Sequence, residues 1–128
     1  MTVHGQFYWN ELMTRDAEKA KAFYRDCIGW TFDEMKMDDS PSYWVAKAGG
    51  APAAGIFTMT GPGFDGVPEH WLPYLHVDDV DAAVSRAEAM GARTLRPVFE
   101  VAGIGRIAII QEPGGAVIGW MTPAKDAK

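Results

Sequence analysis

The same order of strand-like and helix-like segments occurs twice along this chain, and this repeat limits the possible folds more than any other feature. Each half begins with a strand-like run, continues with an amphipathic helical pattern and ends with three further strand-like runs. The two helical patterns stop at Gly29 and Gly91, so the halves are offset by about 62 residues. Such a repeat predicts one supersecondary unit built twice.

In the first half, residues 7–13 have the pattern of a strand, and Asp16 has a side chain suited to cap the helix that follows. Apolar residues recur along that helix at helical spacing, which predicts one face packed against a sheet. Strand-like runs then lie near 30–37, 43–48 and 53–59. The first half therefore predicts the order β-α-β-β-β.

The second half repeats this order. A strand-like run at 71–77 precedes Asp79, which is placed to cap a second amphipathic helix. Three strand-like runs follow, near 94–100, 106–111 and 116–122. The chain as a whole is therefore predicted to be an α+β protein made of two βαβββ modules.

Length and composition indicate how these modules are joined. The chain has 128 residues, of which 48% are hydrophobic and 23% charged, and these values are typical of one globular domain. Residues 60–69 contain three Gly and two Pro, the composition of an exposed connection. We expect a single domain over residues 1–128, with modules 5–60 and 69–123 joined by this Gly/Pro-rich linker.

Charge and hydropathy exclude several classes of partner. The formal net charge is −5 and the basic residues are scattered, whereas nucleic-acid binding needs a clustered basic face. There is no apolar run of about 20 residues and no basic segment followed by an apolar one at the start. We therefore expect a cytoplasmic protein that binds neither nucleic acid nor membrane. The single Cys27 lies in the helical pattern and is expected to be a buried structural residue.

Several segments, in order and spacing, carry a resemblance to a known family. They are Trp9–Asp16 (WNELMTRD), Phe23–Tyr24 and Gly29–Trp30 in the first half, and Tyr74–Ala83 (YLHVDDVDAA), Gly91–Ala92, Arg106–Ala108 and Glu112–Gly115 in the second. With these segments the chain resembles a glyoxalase-type member of the vicinal oxygen chelate superfamily, which includes glyoxalases, bleomycin-resistance proteins and extradiol dioxygenases. The resemblance is to the metal-free, glyoxalase-like branch.

This resemblance implies a fold and a position for the site. The two modules would form a curved, incompletely closed barrel of eight strands, with the helices outside and a cavity on the concave face. Metal-dependent members take ligands from the first and fourth strands of each half, and these positions correspond to Trp9, about Gly55, Leu72 and Gly119. None of these side chains offers a donor to a divalent metal. We therefore expect neither a metal nor another cofactor.

Strand alternation then indicates which side chains line the cavity. The predicted ligand-binding residues are apolar or aromatic, namely Trp9, Met13, Phe57, Met59, Leu72, Tyr74 and Met121, and Phe7 and Val117 share their side of the strands. Such a lining favours a small hydrophobic or aromatic ligand. Glu11 and His76 are the candidate catalytic groups, with Glu11 as general base because an enclosed carboxylate must be paired or have a raised pKa.

Three alternatives remain open on the sequence alone. The first is a metal-dependent lyase, isomerase or dioxygenase that uses a shifted site made of Glu11 with His70 or His76. The second is a structural or interaction module whose cavity is filled by its own side chains. In the third, Glu11 is a structural partner of Arg106 and His76 is a hydrogen-bonded scaffold residue.

The aromatic content also suggests self-association. Trp44, Trp71 and Trp120 are expected to be exposed, and a chain of this size has no need of so many exposed indoles. We therefore predict a homodimer.

Overall fold

A computed structural model of the protein describes residues 2–38 and 40–125. Its helices and strands, in chain order, are β1 (Phe7–Thr14), α1 (Ala17–Ile28), β2 (Thr31–Met35), β3 (Tyr43–Ala48), β4 (Ala51–Thr58), a short 3-10 turn (Pro62–Phe64), β5 (His70–His76), α2 (Val80–Ala89), β6 (Arg93–Val101), β7 (Gly105–Gln111) and β8 (Val117–Pro123). Each predicted strand is present, with its ends within about two residues of the prediction. The α+β class and the two βαβββ modules are confirmed. None of the helices in the described ranges combines the length and hydropathy of a membrane-spanning segment.

The chain divides into two compact units. One is Trp9–Leu72, here called the N-terminal unit, and the other combines Met1–Tyr8 with Pro73–Lys128 and is called the C-terminal unit. Both division points fall inside the first strand of a module, so the units do not coincide with the predicted modules 5–60 and 69–123. That the whole chain is one domain stays a prediction.

In the N-terminal unit the strand order is β2-β3-β4-β1, with β1 and β4 parallel and the other pairs antiparallel. The Asp16 side chain accepts a hydrogen bond from the amide of Lys19 at 3.0 Å, which confirms the predicted cap. The helix ends at Gly29, whose φ of 81° is the left-handed conformation that glycine adopts at low cost. Helix α1 packs on one face of the sheet, where Leu12 and Ile56 are buried.

The C-terminal unit has the corresponding order β5-β8-β7-β6, with β5 and β8 parallel. Asp79 caps α2 by accepting from the amide of Ala82 at 3.1 Å, again as predicted. The helix covers one face of the sheet over a core of Val77, Val80, Ala108, Ile110 and Ile118. The residues that alternate with these core residues along β5 and β8 have side chains on the opposite face of the sheet.

Two expectations about exposure are wrong. Trp44 and Trp120 pack against the cores beneath α1 and α2, because each lies on the helix-covered face of its strand. Trp71 is 40% exposed as expected, and Phe23 on α1 is 58% exposed. Cys27 is exposed rather than buried, since it lies on the part of α1 turned away from the sheet.

Candidate functional site

The candidate site is the face of the N-terminal sheet that α1 does not cover. Register places Glu11 beside Gly55 and Met13 beside Phe57, and residues paired in this way point to the same side of a sheet. Leu12 and Ile56, one position along, point to the helix instead. We call this surface the site face, and its side chains are Trp9, Glu11, Met13, Tyr43 and Phe57.

Gly55 makes room on this face for the ring of Tyr43. A Cβ atom at position 55 would overlap the hydroxyl and ring carbons of Tyr43, so the phenol occupies the space that any other residue would fill. Gly55 does not have a positive φ, and its backbone conformation is open to any residue. The position therefore needs glycine for space and not for conformation.

The Tyr43 hydroxyl connects two side chains of β1. It accepts a hydrogen bond from the indole Nε1 of Trp9 at 2.9 Å and donates one to the carboxylate of Glu11. Burial raises the pKa of Tyr43 far above its ordinary value, the Glu11 charge and hydrogen bond raise it further, and the Trp9 donor opposes them. The phenol therefore stays protonated and acts as the donor to the Glu11 carboxylate. The half-buried carboxylate is held in place on an otherwise apolar surface.

Tyr43 is the site residue that sequence reasoning missed. The signal was Gly55 itself, because a glycine inside a strand marks close approach by another group. The alternative partner proposed for Glu11 is engaged elsewhere. Arg106 donates to Asp81 at 2.9 and 3.0 Å and lies 3.5 Å from Glu100, all at exposed positions of the C-terminal unit.

The C-terminal unit contains a related arrangement on the uncovered face of its own sheet. Tyr74 pairs in register with Gly119, and a Cβ at position 119 would lie 3.1 Å from the Tyr74 ring. Met121 pairs with His76 two residues along. Tyr74 and Met121 are 6% and 3% exposed, so both are buried, and their role in ligand binding stays a prediction.

His76 is tied to the first residues of the chain. Its Nδ1 lies 2.9 Å from the hydroxyl of Thr2, its Nε2 lies 3.6 Å from a carboxylate oxygen of Asp78, and its ring meets Tyr8 edge to face. Its backbone amide also donates to the carbonyl of Gln6 at 2.9 Å. These contacts favour the scaffold interpretation of His76, and its catalytic role is left as a prediction.

The remaining predicted binding residues lie in the N-terminal unit but differ in accessibility. Trp9 and Phe57 are half-buried and present part of their rings on the site face. Met13, Met59 and Leu72 are 8%, 3% and 2% exposed, so all three are buried, and their role in ligand binding stays a prediction. Within one unit, the structure therefore brings together Trp9 and Phe57 with Glu11.

The donor set does not fit a metal. Among the residues described, no three His, Cys, Asp or Glu side chains converge as a metal site. His70, a member of the shifted metal site considered above, has its Nδ1 2.7 Å from the carbonyl oxygen of Pro68. The four positions that the resemblance implies as metal ligands carry an indole at Trp9, an isobutyl group at Leu72 and no side chain at Gly55 and Gly119.

Two surface grooves of the N-terminal unit lie away from the site face. A groove of about 310 Å³ is lined by Lys21, Arg25, Trp30, Thr31, Phe32 and Trp44. A second, of about 410 Å³, lies beside the start of α1 and includes Arg15, Asp16, Glu34 and Thr58. In the first groove the Nζ of Lys21 lies 3.0 Å from the centre of the Trp44 ring and 2.8 Å from Glu18, so its charge is already partnered.

Solved structures share this fold. Methylmalonyl-CoA epimerase from Mycobacterium tuberculosis has a TM-score of 0.61 at 22% identity, over 94% of this chain and 88% of that one. The protein BH1468 from Bacillus halodurans has a TM-score of 0.69 at 8% identity, over 97% and 98% of the two chains. At these identities the likeness concerns the fold alone.

Sequence relatives give the family. CFP32 of Mycobacterium tuberculosis, provisionally named a glyoxylase, is 36% identical over 120 residues, which are 94% of this chain and 45% of that protein. The anthracycline biosynthesis protein DnrV of Streptomyces peucetius is 29% identical over 119 residues, or 84% of this chain and 43% of DnrV. The chain thus spans less than half the length of these relatives. A family model matches residues 6–119, and the chain belongs to the Glyoxalase/Bleomycin resistance protein/Dioxygenase superfamily.

Proposed function

We propose that the protein binds a small hydroxylated aromatic molecule on the site face without the help of a metal. The observation that carries this proposal is the hydrogen-bonded series Trp9–Tyr43–Glu11, which holds one carboxylate at a fixed position among apolar side chains. Pockets for flat ligands commonly combine such an apolar lining with one or two oriented polar groups.

The chemistry of the three groups defines what the ligand offers. Tyr43 donates to Glu11, and the two oxygens of a carboxylate have lone pairs for more than one donor. A ligand hydroxyl is such a donor, and a charge-assisted hydrogen bond to it is shorter and stronger than a neutral one. Trp9 and Phe57 would cover the flat surface of the ligand.

The name of one relative supports an aromatic ligand. DnrV is named for anthracycline biosynthesis, and anthracyclines contain fused rings bearing phenolic hydroxyls. A hydroxyanthraquinone has both the flat surface that the site face would cover and the donor that Glu11 would accept. The metal-free part of the proposal is supported by the lack of donor atoms at Trp9 and Gly55.

Titration with 1,8-dihydroxyanthraquinone, followed by quenching of tryptophan fluorescence, tests the proposal. Glu11→Gln should weaken binding about tenfold or more, since a hydrogen bond to a charged group contributes about 1.5–3 kcal/mol. Its melting temperature should stay within a few degrees of wild type because the amide keeps the shape and the acceptor oxygen.

Glu112→Gln, at an exposed turn, is the matched control and should bind as wild type does. Equal affinity of the wild-type protein and the Glu11→Gln variant would contradict the role of the carboxylate. Binding that is lost in EDTA and restored by Mn²⁺ or Ni²⁺ would contradict the metal-free part.

A further inference from the structure

We propose that the connection between the modules forms an aromatic wall of the ligand site, with Phe64 as a ligand-contacting residue and Arg15 as the residue that positions it. The inference rests on the proposed function, since it assigns a further part of the same site. We call residues 60–69 the crossing segment. Its contacts with Arg15 and Phe57 lie within the N-terminal unit.

The crossing segment has a defined backbone. Gly61 and Gly66 have φ angles of 88° and 78°, which are strained for other residues, and they bracket the 3-10 turn Pro62–Phe64. The amide of Asp65 donates to the carbonyl of Pro62 at 3.1 Å, and the amide of Val67 donates to that of Phe64 at 3.0 Å. The backbone of Phe64, from which its side chain extends, is therefore held in a fixed position.

That side chain reaches the site face. The ring centroid of Phe64 lies 5.8 Å from that of Phe57, with the two planes inclined at 54°. Phe57 is the neighbour of Met13 in the parallel pairing of β1 and β4. Both phenylalanines are only half-buried, so each retains surface that a bound aromatic ring could cover.

Arg15 holds the segment at two points. Its Nη2 donates to the carbonyl of Phe64 at 2.7 Å, and its Nη1 donates to the carboxylate of Glu69 at 3.0 Å. The backbone amide of Arg15 donates to the other oxygen of the same carboxylate at 2.9 Å. Arg15 directly follows β1, the strand that carries Glu11, so one strand fixes both the carboxylate and the aromatic wall.

The geometry of these contacts suits arginine in particular. The guanidinium presents several N–H donors in a rigid plane, so one side chain can hold a carboxylate and a carbonyl at once. A lysine at position 15 could reach either group but has no fixed fork with which to set their separation.

The test uses the full chain and 1,8-dihydroxyanthraquinone as the probe. Phe64→Ala should weaken binding by about two- to tenfold, the range expected for loss of one aromatic contact. Arg15→Gln should weaken it by a similar factor. The double variant should be no weaker than Phe64→Ala alone, because Arg15 acts through the position of Phe64.

Arg106→Gln is the control, since Arg106 also forms exposed ion pairs but lies in the C-terminal unit, and it should bind as wild type does. A ligand-free measurement accompanies the titration. Arg15→Gln, and to a smaller extent Glu69→Gln, should speed hydrogen exchange at the amides of Asp65 and Val67 and leave the strand amides unchanged.

Four results would overturn the inference. If Phe64→Ala binds the probe as tightly as wild type while Glu11→Gln does not bind, the crossing segment is not part of the site, and the proposed function still stands. If the losses in the double variant are additive, or if exchange at Val67 is unchanged in Arg15→Gln, Arg15 does not position Phe64. If wild type and Glu11→Gln both fail to bind, the proposed function fails together with the inference.

Discussion

Adding one methyl group at Gly55 should disrupt the site face. The Cβ of Gly55→Ala would occupy space now taken by the hydroxyl and ring of Tyr43, and the rigid ring has no short bend by which to avoid it. The ring must swing off β4, which breaks its hydrogen bonds to Trp9 and Glu11. A conservative change in a strand thus becomes a test of the whole arrangement.

The expected cost follows from two contributions. Overpacking of a well-packed site costs about 1–3 kcal/mol. Loss of two hydrogen bonds adds about 1 kcal/mol each. The free energy of unfolding of Gly55→Ala should therefore fall by about 3–5 kcal/mol, and the urea midpoint by about 1.5–2.5 M at a slope of about 2 kcal/mol per M. Gly114→Ala is the control, because its added methyl meets nothing within 4 Å, and it should change the midpoint little.

The decisive comparison makes the same Gly55→Ala substitution in a variant that lacks the ring of Tyr43. In a Tyr43→Ala background the methyl at position 55 meets no ring, and replacing a strand glycine by alanine should then be neutral or stabilise by about 0.5 kcal/mol. The sign of the effect should therefore reverse. A Gly55→Ala protein as stable as wild type, or one equally destabilised with and without Tyr43, would refute the assignment of Tyr43 to the space above Gly55.

Three further predictions concern the Tyr43 hydroxyl, the Glu69 carboxylate and self-association. Tyr43→Phe removes the hydroxyl between Trp9 and Glu11 and should lower the free energy of unfolding, measured by urea denaturation, by about 1–3 kcal/mol. An unchanged urea midpoint would mean that the hydroxyl does not connect Trp9 with Glu11. The pKa of Glu69 is lowered, chiefly by the hydrogen bond from the Arg15 amide. The Glu69 carboxylate therefore stabilises the crossing segment fully above about pH 4.3, the ordinary pKa of a glutamate, and this stabilisation is lost as the pH falls through the lowered pKa. Exchange protection of the crossing segment should fall on acidification in wild type, and the same fall in Glu69→Gln would contradict this. We also propose a homodimer that covers exposed aromatic surface at Trp71, and sedimentation that shows only a 14 kDa species at micromolar concentration would contradict it.

Local chemistry made much of the fold predictable from the sequence. Asp16 and Asp79 each have a carboxylate placed to accept an amide of the first helical turn, and Gly29 provides the left-handed residue that ends α1. These signals depend only on neighbours in the chain. The direction of Glu11 was predictable for a similar reason, because alternation along β1 alone separates it from Leu12.

The position of Tyr43 was not predictable in this way. Next to the turn that follows β3, Ala48 pairs with Ala51. If this register continued along β3 without interruption, Tyr43 would pair with Ile56 and would lie on the helix side of the sheet. The register shifts by one between Ala46 and Lys47, opposite Pro52, whose missing N–H favours a bulge. The shift moves Tyr43 to the side of Gly55. One irregularity in pairing thus decides which face receives the phenol.

The prediction that Trp44 and Trp120 are exposed was wrong for a different reason. The number of tryptophans in a short chain predicts exposure of Trp44 and Trp120, but burial depends on which face of a strand lies under a helix. Composition carries no information on that point. The same strand alternation that correctly placed Glu11 would have placed Trp44 beneath α1, given the shifted register of β3.

The repeat places a glycine beside the first strand of each module. In each half the first strand pairs in register with a glycine of the fourth strand, Glu11 with Gly55 and Tyr74 with Gly119. In the C-terminal unit the paired residue is itself the tyrosine whose ring covers the glycine. In the N-terminal unit the ring comes from β3, which leaves the paired position free to carry an acid. Tyrosine thus fills the space above glycine in both halves, and in the first half this arrangement places the carboxylate of Glu11 beside the phenol within the same unit.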